Sequence, residues 1–499
     1  MIRSLCVVGG GNAGLMAALF IKKLIPAISI TLIKSKNIGT IGVGEGSTEH
    51  WSIFAQSTGI NIADMMNECG STIKVGIKFE NWHGDGTSYY HSIFESLGTM
   101  EANTGAAITM MRLIGDGIGS EELHWDLPMQ GYVREPFNDY FQFHFDSEKL
   151  NEFLQRNCAQ SGINIIDSEI TDIKLDEEGF IDSIVDNEGK TYSADFFIDS
   201  SGFRRVLSSK LGAEWVDWSK YLPLNSAIAF QTPYEEKLPP YTLARAMNSG
   251  WSWRSPVQDR FGNGYVFSDN FITEDQALDE IQQYYKDTVN IGRKINFKSG
   301  KVNKAWIKNC LSIGLSSNFV EPLEASSIAT TVKQLQMLLG AIYNWSKEDT
   351  GSIKKYNEKF DDMMLNVLDF IQLHYFTERN DTEFWRWCKN EMTMTDFNKE
   401  NLEVFKKNFV NQLILPEDGI TYNFRIYDCL NWIQVMHGLR MFDSKKIKEI
   451  YEMHFSHYRH QDEYVLSQMP TELPKEWVTC REAVNLVRSY GGTTTEYKL

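Results

Sequence analysis

The chain has 499 residues, of which 42% are hydrophobic and 23% charged, with 36 Gly and 12 Pro. This length and composition exclude a disordered, collagen-like or disulfide-stapled chain and predict one large enzyme body or two to three interlocked modules. The 49 basic and 66 acidic residues give a formal net charge of -17, which argues against nucleic acid or an anionic membrane as a partner and favours a small molecule.

The seven cysteines lie at scattered positions and form no CxxC pair. An odd, scattered set is typical of reduced thiols in a cytosol and not of a disulfide framework or a zinc site. The amino terminus lacks a signal-peptide pattern, and no window reaches about 18 uninterrupted apolar residues. We therefore predict a soluble, cytoplasmic protein without a bound metal.

The first 35 residues predict a β-α-β unit. An apolar run at 5–8 leads into GGGNAG, which is followed by a helical pattern at 15–24 and an alternating strand pattern at 28–34. The glycines fit GxGxxG directly after a strand, where they permit a tight turn and let backbone N–H groups approach a pyrophosphate. The predicted cofactor-binding residues of this turn are Gly9, Gly11, Asn12, Ala13 and Gly14.

Lys34 stands at the end of the second predicted strand. A dinucleotide-binding unit usually has an acidic residue there, which binds a ribose hydroxyl. The usual contact is therefore missing or made by another group, and a basic residue could instead favour a 2′-phosphate.

Two later segments favour FAD over NAD as the dinucleotide. GTIGVGEGST at 39–48 is a second Gly-rich turn, which contains Gly44 and Glu45. ADFFIDSSGF at 194–203 is a buried-type strand that contains Asp199 and Gly202. In many flavoproteins, the chain passes close to the bound FAD at a late strand that ends in a carboxylate and a glycine. A nicotinamide dehydrogenase is the alternative.

Local patterns predict the remaining elements. Residues 147–161 predict a helix with Ser147 as its N-cap and a stop at Gly162, and residues 163–199 predict an antiparallel meander. Helical periodicity dominates from about residue 328.

The predicted fold class is α/β. It comprises a FAD-binding Rossmann-type box with β-meander insertions and a mainly helical carboxy-terminal module. The predicted domains are a FAD-binding module at 1–345, with a substrate-side insertion at 83–145, and a helical substrate module at 346–499.

Trp251 and Trp253 are two residues apart in GWSWRSP, so both indoles lie on one face of an extended strand. Such a pair of indoles usually belongs to the hydrophobic core. However, Trp251-x-Trp253-x-x-Pro256 resembles the WxWxIP signature of the flavin-dependent tryptophan halogenase family, with Ser255 in place of Ile.

Other segments resemble the same family in order and spacing. GGGNAG is similar to its FAD fingerprint, and IGVGEGST to its second flavin contact. STIKVGIKFENW at 71–82 is similar to the segment with its essential lysine and has Lys74 at the matching place. NCLSIGLSSNFVEPLEASSI at 309–328 resembles the stretch with its active-site glutamate, and HYFTERNDTEFW at 374–385 resembles its helical signature.

The resemblance implies a halogenase in which FADH2 from a separate flavin reductase, oxygen and a halide ion give hypohalous acid. This acid halogenates an electron-rich aromatic substrate, such as an indole or a phenol, by way of a catalytic lysine. The resemblance implies Lys74 as that lysine, Glu324 as its acidic companion and Gly314 as a further cofactor contact. It places the halide on backbone N–H groups at Ser326 and Ser327, where the family's Glu-Ser-Thr-Gly reads Glu-Ala-Ser-Ser.

His91 and Phe94 resemble residues that flank the family's aromatic substrate, with plain packing as the alternative. Tryptophan-specific members carry Tyr-Tyr where this chain has Trp432-Ile433. We therefore predict that Trp432 contacts a substrate other than free tryptophan, with bromide or iodide preferred over chloride. The resemblance also suggests a homo-oligomer. The alternative functions are a flavin-dependent aromatic monooxygenase and a non-catalytic FAD-binding or NADPH-binding protein.

Overall fold

The computed structural model describes residues 2–38, 45–92, 100–120, 131–134, 142–286, 289–343, 345–409, 425–460, 463, 475 and 477–489. The chain divides into two compact units. The first comprises Met1–Ser71, Phe145–Ser219 and Lys298–Met364, and the second comprises Thr72–His144, Lys220–Phe297 and Leu365–Leu499. These interleaved units differ from the consecutive modules 1–345 and 346–499, because strands that pair in space come from distant stretches. The division at 345 stays a prediction.

The strands of the described residues are β1 (Ser4–Val8), β2 (Ser29–Lys34), β3 (Glu45–Gly46), β4 (Thr72–Lys74), β5 (Gly76–Glu80), β6 (Ser88–Ser92), β7 (Tyr132–Arg134), β8 (Gln142–Phe145), β9 (Asn164–Asp167), β10 (Ile170–Leu175), β11 (Ile181–Asp186), β12 (Thr191–Tyr192), β13 (Phe196–Asp199), β14 (Trp215–Asp217), β15 (Ser226–Pro233), β16 (Tyr241–Met247), β17 (Gly250–Pro256), β18 (Arg260–Phe267), β19 (Asn290–Asn296), β20 (Gly300–Val302), β21 (Trp306–Ile307), β22 (Cys310–Ser312), β23 (Asn318–Phe319) and β24 (Trp477–Thr479).

The α-helices of the same residues are α1 (Asn12–Leu24), α2 (His50–Thr58), α3 (Ile62–Glu68), α4 (Met100–Gly115), α5 (Ser147–Gln160), α6 (Glu274–Tyr285), α7 (Ser326–Ile342), α8 (Thr350–Leu373), α9 (Glu383–Asn390), α10 (Asp396–Lys407), α11 (Cys429–Gly438), α12 (Ser444–His454) and α13 (Cys480–Ser489).

A sheet with the strand order β21-β22-β13-β1-β2-β9 forms the centre of the first unit. β1 lies between β2 and β13 and is parallel to both. The helix α1 follows β1 and buries its residues from Gly14 to Ile21. Strands covered on both faces have continuous apolar sequences, which explains the run at 5–8. This sheet is the predicted Rossmann-type box, and the predicted α/β fold class is confirmed.

The antiparallel meander is shorter than predicted. Only β10, β11 and β12 form it, whereas β9 pairs in parallel with β2 and β13 pairs in parallel with β1. The expectation for 163–199 was therefore wrong at both ends, because strand-forming alternation does not specify a partner strand. The two predicted turns are confirmed by the left-handed conformations of Gly179 (φ 80) and Gly189 (φ 81).

The helix α5 begins at Ser147, so its cap lies one residue earlier than predicted. Its N-cap is Asp146, whose Oδ1 accepts hydrogen bonds from the backbone N–H groups of Glu148 (3.1 Å) and Lys149 (3.2 Å). Ser147, the predicted cap, is the first helical residue. The carboxylate before it already satisfies the N–H groups that a cap would serve.

The second unit is built on a seven-stranded sheet with the order β19-β15-β18-β17-β16-β5-β6. β5 and β16 are parallel, and the other neighbours are antiparallel. The helices α9 to α13 also belong to this unit, in agreement with the helical pattern predicted for the last third of the chain. None of the helices in the described ranges combines the length and apolar character needed to span a bilayer.

Candidate active site

Two glycines of the β1–α1 turn allow a very close backbone approach. Gly9 has a φ of +121°, and a Cβ on it would lie 2.2 Å from the carbonyl oxygen of Ser200. A Cβ on Gly14 would lie 2.1 Å from the carbonyl oxygen of Gly9. Any side chain at either position would therefore push β1, α1 and the segment after β13 apart.

Gly11 differs from its neighbours because a Cβ there would meet no atom within 4 Å. It is the N-cap of α1, which has no side-chain cap hydrogen bond and no acidic residue in its first turn. The amino-terminal end of a helix carries partial positive charge and N–H groups that bind anions. Open space in front of such an end fits the pyrophosphate of FAD.

A chain of side chains from α5 braces this turn. Asn151 Nδ2 donates to the Gly10 carbonyl oxygen (2.9 Å) and to Asn12 Oδ1 (3.0 Å). Gln155 Nε2 donates in turn to Asn151 Oδ1 (2.5 Å), and the Lys34 ammonium donates to Gln155 Oε1. Lys34 therefore holds α5 against the turn, at the place where the acidic ribose ligand was missing from the sequence.

Asp199 is buried, and its carboxylate serves the protein itself. Oδ2 accepts from the Leu207 N–H (2.9 Å) and from the N–H (2.8 Å) and hydroxyl (2.9 Å) of Ser208. Oδ1 accepts from the N–H (3.0 Å) and hydroxyl (2.6 Å) of Ser201 and from the Ser316 hydroxyl (3.2 Å). These six bonds fix the loop after β13, so Asp199 organises the loop that carries Gly202.

Gly202 and Gly314 converge on the same part of the first unit. Ser316 donates its hydroxyl to the Gly202 carbonyl oxygen (3.1 Å) as well as to Asp199. Gly314 has a φ of +55°, and a Cβ on it would lie 2.6 Å from the Cβ of Ala13. The predicted cofactor residues of three separate segments therefore meet at the carboxyl ends of β1 and β13, where α/β sheets bind their ligands.

Glu324 ends a short 3-10 turn, Pro322–Glu324, and is 1% exposed. The next residue, Ala325, adopts a left-handed conformation (φ 52°) and is the N-cap of α7 without a side-chain cap bond. Ser326 and Ser327 are the first two residues of α7. Their backbone N–H groups lie at the positive end of a 17-residue helix, the kind of site that stabilises an anion.

Lys74 is the last residue of β4 and is 1% exposed. β4 pairs with β8 in an antiparallel register that sets Thr72 opposite His144 and Lys74 opposite Gln142. Because side chains alternate along a strand, all four project from the same face of this pair. The predicted catalytic lysine thus shares a strand face with three polar side chains.

His144 is fully engaged on this face. Its Nδ1 lies 3.1 Å from the Thr72 hydroxyl, and its Nε2 lies 2.9 Å from the Thr242 hydroxyl. The Thr72 hydroxyl also donates to the Pro256 carbonyl oxygen (2.8 Å), at the end of the WxWxxP segment. Burial, reinforced by the charge of Lys74, holds the pKa of His144 well below its usual range. The imidazole is therefore neutral beside the ammonium.

Trp251 and Trp253 lie on one face of β17, as predicted. Both are buried, and their ring centroids are 6.2 Å apart at an interplanar angle of 58°. Trp253 covers Gly264 of β18 so closely that a Cβ there would lie 1.8 Å from its ring. The indole pair is thus a packed part of β17, which ends at Pro256.

His91 and Trp432 share a neighbour. The ring of Phe370 has its centroid 5.6 Å from that of His91 and 5.6 Å from that of Trp432. Asn431 Nδ2 lies 3.0 Å from His91 Nε2, and Asn431 also completes the capping box of α11. These contacts bring the two predicted substrate residues into one aromatic cluster of the second unit.

Some predicted site residues lie outside the described part of the structure. They are Gly44, Phe94 and the side chain of Glu45. Among the described residues, no group of three or more His, Cys, Asp or Glu side chains is arranged to hold a metal ion.

Sequence reasoning missed Gln142, His144 and Asn151. The first two could have been found, because QFHF alternates polar and aromatic residues just before a helix, as expected for a strand with one polar face. Asn151 gave no signal, because its role depends on the packing of α5 against the β1–α1 turn.

The model of the family described as tryptophan halogenase matches residues 4–453. Tryptophan 7-halogenase RebH of Lentzea aerocolonigenes is 31% identical over 466 residues, which cover 84% of this chain and 85% of that protein. Tryptophan 6-halogenase ThaL of Streptomyces albogriseolus is 31% identical over 458 residues, with 84% and 85% covered. The structure of Xcc4156, a flavin-dependent halogenase from Xanthomonas campestris, has a TM-score of 0.82 at 27% identity and covers 98% of each chain. The chain belongs to the tryptophan halogenase family and is a flavin-dependent halogenase.

Proposed function

We propose that the chain transfers bromine or iodine to a neutral, electron-rich arene, with Lys74 as its catalytic lysine. The burial of Lys74 on a polar strand face carries this proposal. A charge in a buried site of low dielectric interacts strongly with a reacting group, because water does not screen it. A neutral His144 beside it leaves Lys74 as the positive group of this face.

The residues of the first unit fit FAD. Gly9, Gly11, Asn12, Ala13 and Gly14 would hold its pyrophosphate at the amino-terminal end of α1, and Gly202 and Gly314 would border the same space. Asp199 would act by ordering the loop of Gly202. Reduced FAD, when bound, would supply hypohalous acid by reaction with oxygen and a halide ion.

Lys74 would use its ammonium to activate that acid. An N–H of Lys74 donates a hydrogen bond to the oxygen of the acid, which makes the halogen more electrophilic. The ring carbon bonds to the halogen as the halogen–oxygen bond breaks, and the departing hydroxide takes a proton from Lys74 to become water. The ring proton then passes to the Lys74 amine, which restores the ammonium.

Glu324 would stabilise the cationic ring that forms when the halogen is added. A buried carboxylate has the right charge for this task, and a preorganised charge is effective where water is excluded. Its place directly before the left-handed Ala325 fixes its backbone.

The first turn of α7 would bind the halide through the N–H groups of Ser326 and Ser327. The loop departs from the family pattern at Ala325, which has no hydroxyl, and at Ser327, which has a side chain in place of Gly. We expect this loop to bind chloride weakly. Bromide and iodide are more easily oxidised and therefore need less help from the site.

The substrate would be an indole or a phenol and not free tryptophan. Neither Trp432 nor Ile433 has a hydroxyl that could bind the charged groups of an amino acid. Desolvating an unpaired carboxylate or ammonium costs several kcal/mol, whereas a neutral arene avoids that cost. His91 and Trp432 would contact the arene through the cluster around Phe370.

We further propose a separate flavin reductase as the source of FADH2 and a homo-oligomeric, cytoplasmic enzyme. One GxGxxG turn supports the need for a reductase, since the sequence has no second nucleotide fingerprint.

An assay with purified protein tests this function. It contains FAD, a flavin reductase, NADH, bromide and a panel of indoles and phenols, and mass spectrometry detects brominated products. We expect brominated arenes in the complete mixture and none without the reductase. Product formation with NADH alone would contradict the role of the reductase, and a complete mixture that yields only hydroxylated arenes would contradict halogen transfer.

A further inference from the structure

Gln142 has a buried acceptor that none of the described residues uses. The residue is 3% exposed, and its Oε1 accepts no hydrogen bond from any of the residues that the structure describes. A buried amide oxygen without a donor costs free energy, so native proteins rarely keep one. Such atoms occur where a ligand or a reacting group supplies the missing partner.

The position of Gln142 shows which group can reach this oxygen. Gln142 stands directly opposite Lys74 in the β4–β8 register, and residues opposite each other have Cβ atoms about 4.5–5.5 Å apart. The other polar pair on this face is already satisfied, since His144 contacts both Thr72 and Thr242. The Gln142 side chain therefore projects from the same strand face as Lys74, next to the residue that is proposed to hold the hypohalous acid.

We propose that Gln142 is a further catalytic residue of this halogenase, whose amide oxygen accepts the O–H of the hypohalous acid bound at Lys74. This inference rests on the proposed role of Lys74. Hypohalous acid has one O–H donor and an oxygen that accepts, so Lys74 donates to its oxygen while Gln142 accepts its hydrogen. Two contacts of opposite polarity fix the acid and direct its halogen away from the protein, toward the arene.

Lys74 and Gln142 also accommodate the product of the halogen transfer. The carbon–halogen bond forms as the halogen–oxygen bond breaks, and the hydroxide takes its proton from Lys74. The resulting water keeps its hydrogen bond to Gln142, so Oε1 of Gln142 has a donor throughout the step. Without Gln142, the acid is held by one contact, and its escape to solvent competes better with halogen transfer.

The test compares Gln142→Met with Gln372→Met. Methionine keeps the length of glutamine and removes the amide oxygen. Gln372 is buried in the same unit, but its amide is fully used, since Nε2 donates to the carbonyl oxygens of Tyr221 (3.1 Å) and Thr393 (2.9 Å) and Oε1 accepts from the Thr395 N–H (2.9 Å). It is thus a matched control for the loss of a buried amide.

Three quantities are measured with FAD, reductase, NADH and bromide: brominated arene, oxidant captured by a thioether in solution, and melting temperature. For Gln142→Met we expect the ratio of brominated arene to captured oxidant to fall about tenfold, as for one lost hydrogen bond. The total amount of oxidant should stay at the wild-type value. The melting temperature should stay the same or rise. For Gln372→Met we expect a lower melting temperature and an unchanged ratio of brominated arene to captured oxidant.

Two results would overturn the inference. One is a wild-type ratio in Gln142→Met; the other is a melting temperature that falls as far as in Gln372→Met, which marks a structural role. If Gln142→Met does not fold, Gln142→Leu is measured in its place. A melting temperature of Gln142→Leu that falls as far as in Gln372→Met would also overturn the inference. A wild-type protein that yields neither brominated arene nor captured oxidant would instead refute the proposed function.

Discussion

The imidazole of His144 lies 3.1 Å from the hydroxyl of Thr72, on the strand that carries Lys74 two residues later. This bond ties β8 to β4 and keeps an uncharged ring next to an ammonium. A protonated ring here would face Lys74 and would lose one of its two hydroxyl contacts as an acceptor. The geometry around the lysine therefore requires a neutral His144.

We expect acid to destabilise the protein through His144. Burial and Lys74 lower its pKa in the folded state, while the unfolded chain takes up a proton below about pH 6.5. Because the unfolded state then binds more protons, the free energy of unfolding falls as the pH drops below that value and is fully recovered above it. Between pH 7.5 and 5.5, His144→Gln should lose about 1 kcal/mol less than wild type in urea unfolding. Equal losses would mean that His144 is protonated in the folded protein.

Lys74→Ala should lower halogenation by roughly 10²-fold or more, because its ammonium is proposed to activate the acid. FAD binding and oxygen consumption should persist, since Lys74 is not among the residues of the FAD turn. Lys78→Ala is the control: its ammonium lies 5.9 Å from the ring centroid of Tyr241 and is partly exposed. Product formation by Lys74→Ala, or its loss in Lys78→Ala, would show that the register of the lysine segment is wrong.

Glu324→Gln should lower turnover by roughly 10²-fold, because the amide keeps the shape and removes the charge. The melting temperature should change little. Steady-state rates at saturating bromide check this prediction. A variant that keeps about half of the wild-type turnover would assign Glu324 a structural role.

Gly11→Ala and Gly14→Ala should separate cofactor binding from folding. The added methyl of Gly11→Ala enters open space, so stability is kept while the space proposed for the pyrophosphate is filled. The methyl of Gly14→Ala meets the Gly9 carbonyl oxygen at 2.1 Å and should destabilise the unit. FAD titration and thermal unfolding of both variants measure the difference. Wild-type FAD affinity in Gly11→Ala would refute the proposed phosphate site.

Free tryptophan should be a poor substrate, and bromide or iodide should outcompete chloride. The reason is the apolar pair Trp432-Ile433 in α11 and the altered loop from Ala325 to Ser327. A competition assay supplies tryptophan, simple phenols, chloride and bromide together. Chlorinated tryptophan as the main product would contradict both parts of the prediction.

Much of the first unit could be predicted from the sequence because its signals are local. A glycine pattern between a strand and a helix specifies a turn by φ angles and close contacts, as Gly9 and Gly14 show. Helical and strand periodicities likewise predicted α1, β1, β2 and α7. The prediction of Lys74 and Glu324 as catalytic residues rests on the family motifs formed by their neighbours in the chain.

Tertiary structure decided the partners of these elements. Alternation predicted strands over 163–199, but only sheet pairing assigned β9 and β13 to the parallel sheet and left β10 to β12 as the meander. Asp199 is predicted to contact FAD from its place in the sequence, and the folded chain adds that its carboxylate accepts five bonds from its own loop and one from Ser316. The order of residues fixes what a segment can form, whereas hydrogen bonds between segments depend on distances that only the folded chain defines. Gln142 and Lys74 illustrate this, since 68 positions of sequence separate two residues that strand pairing sets face to face.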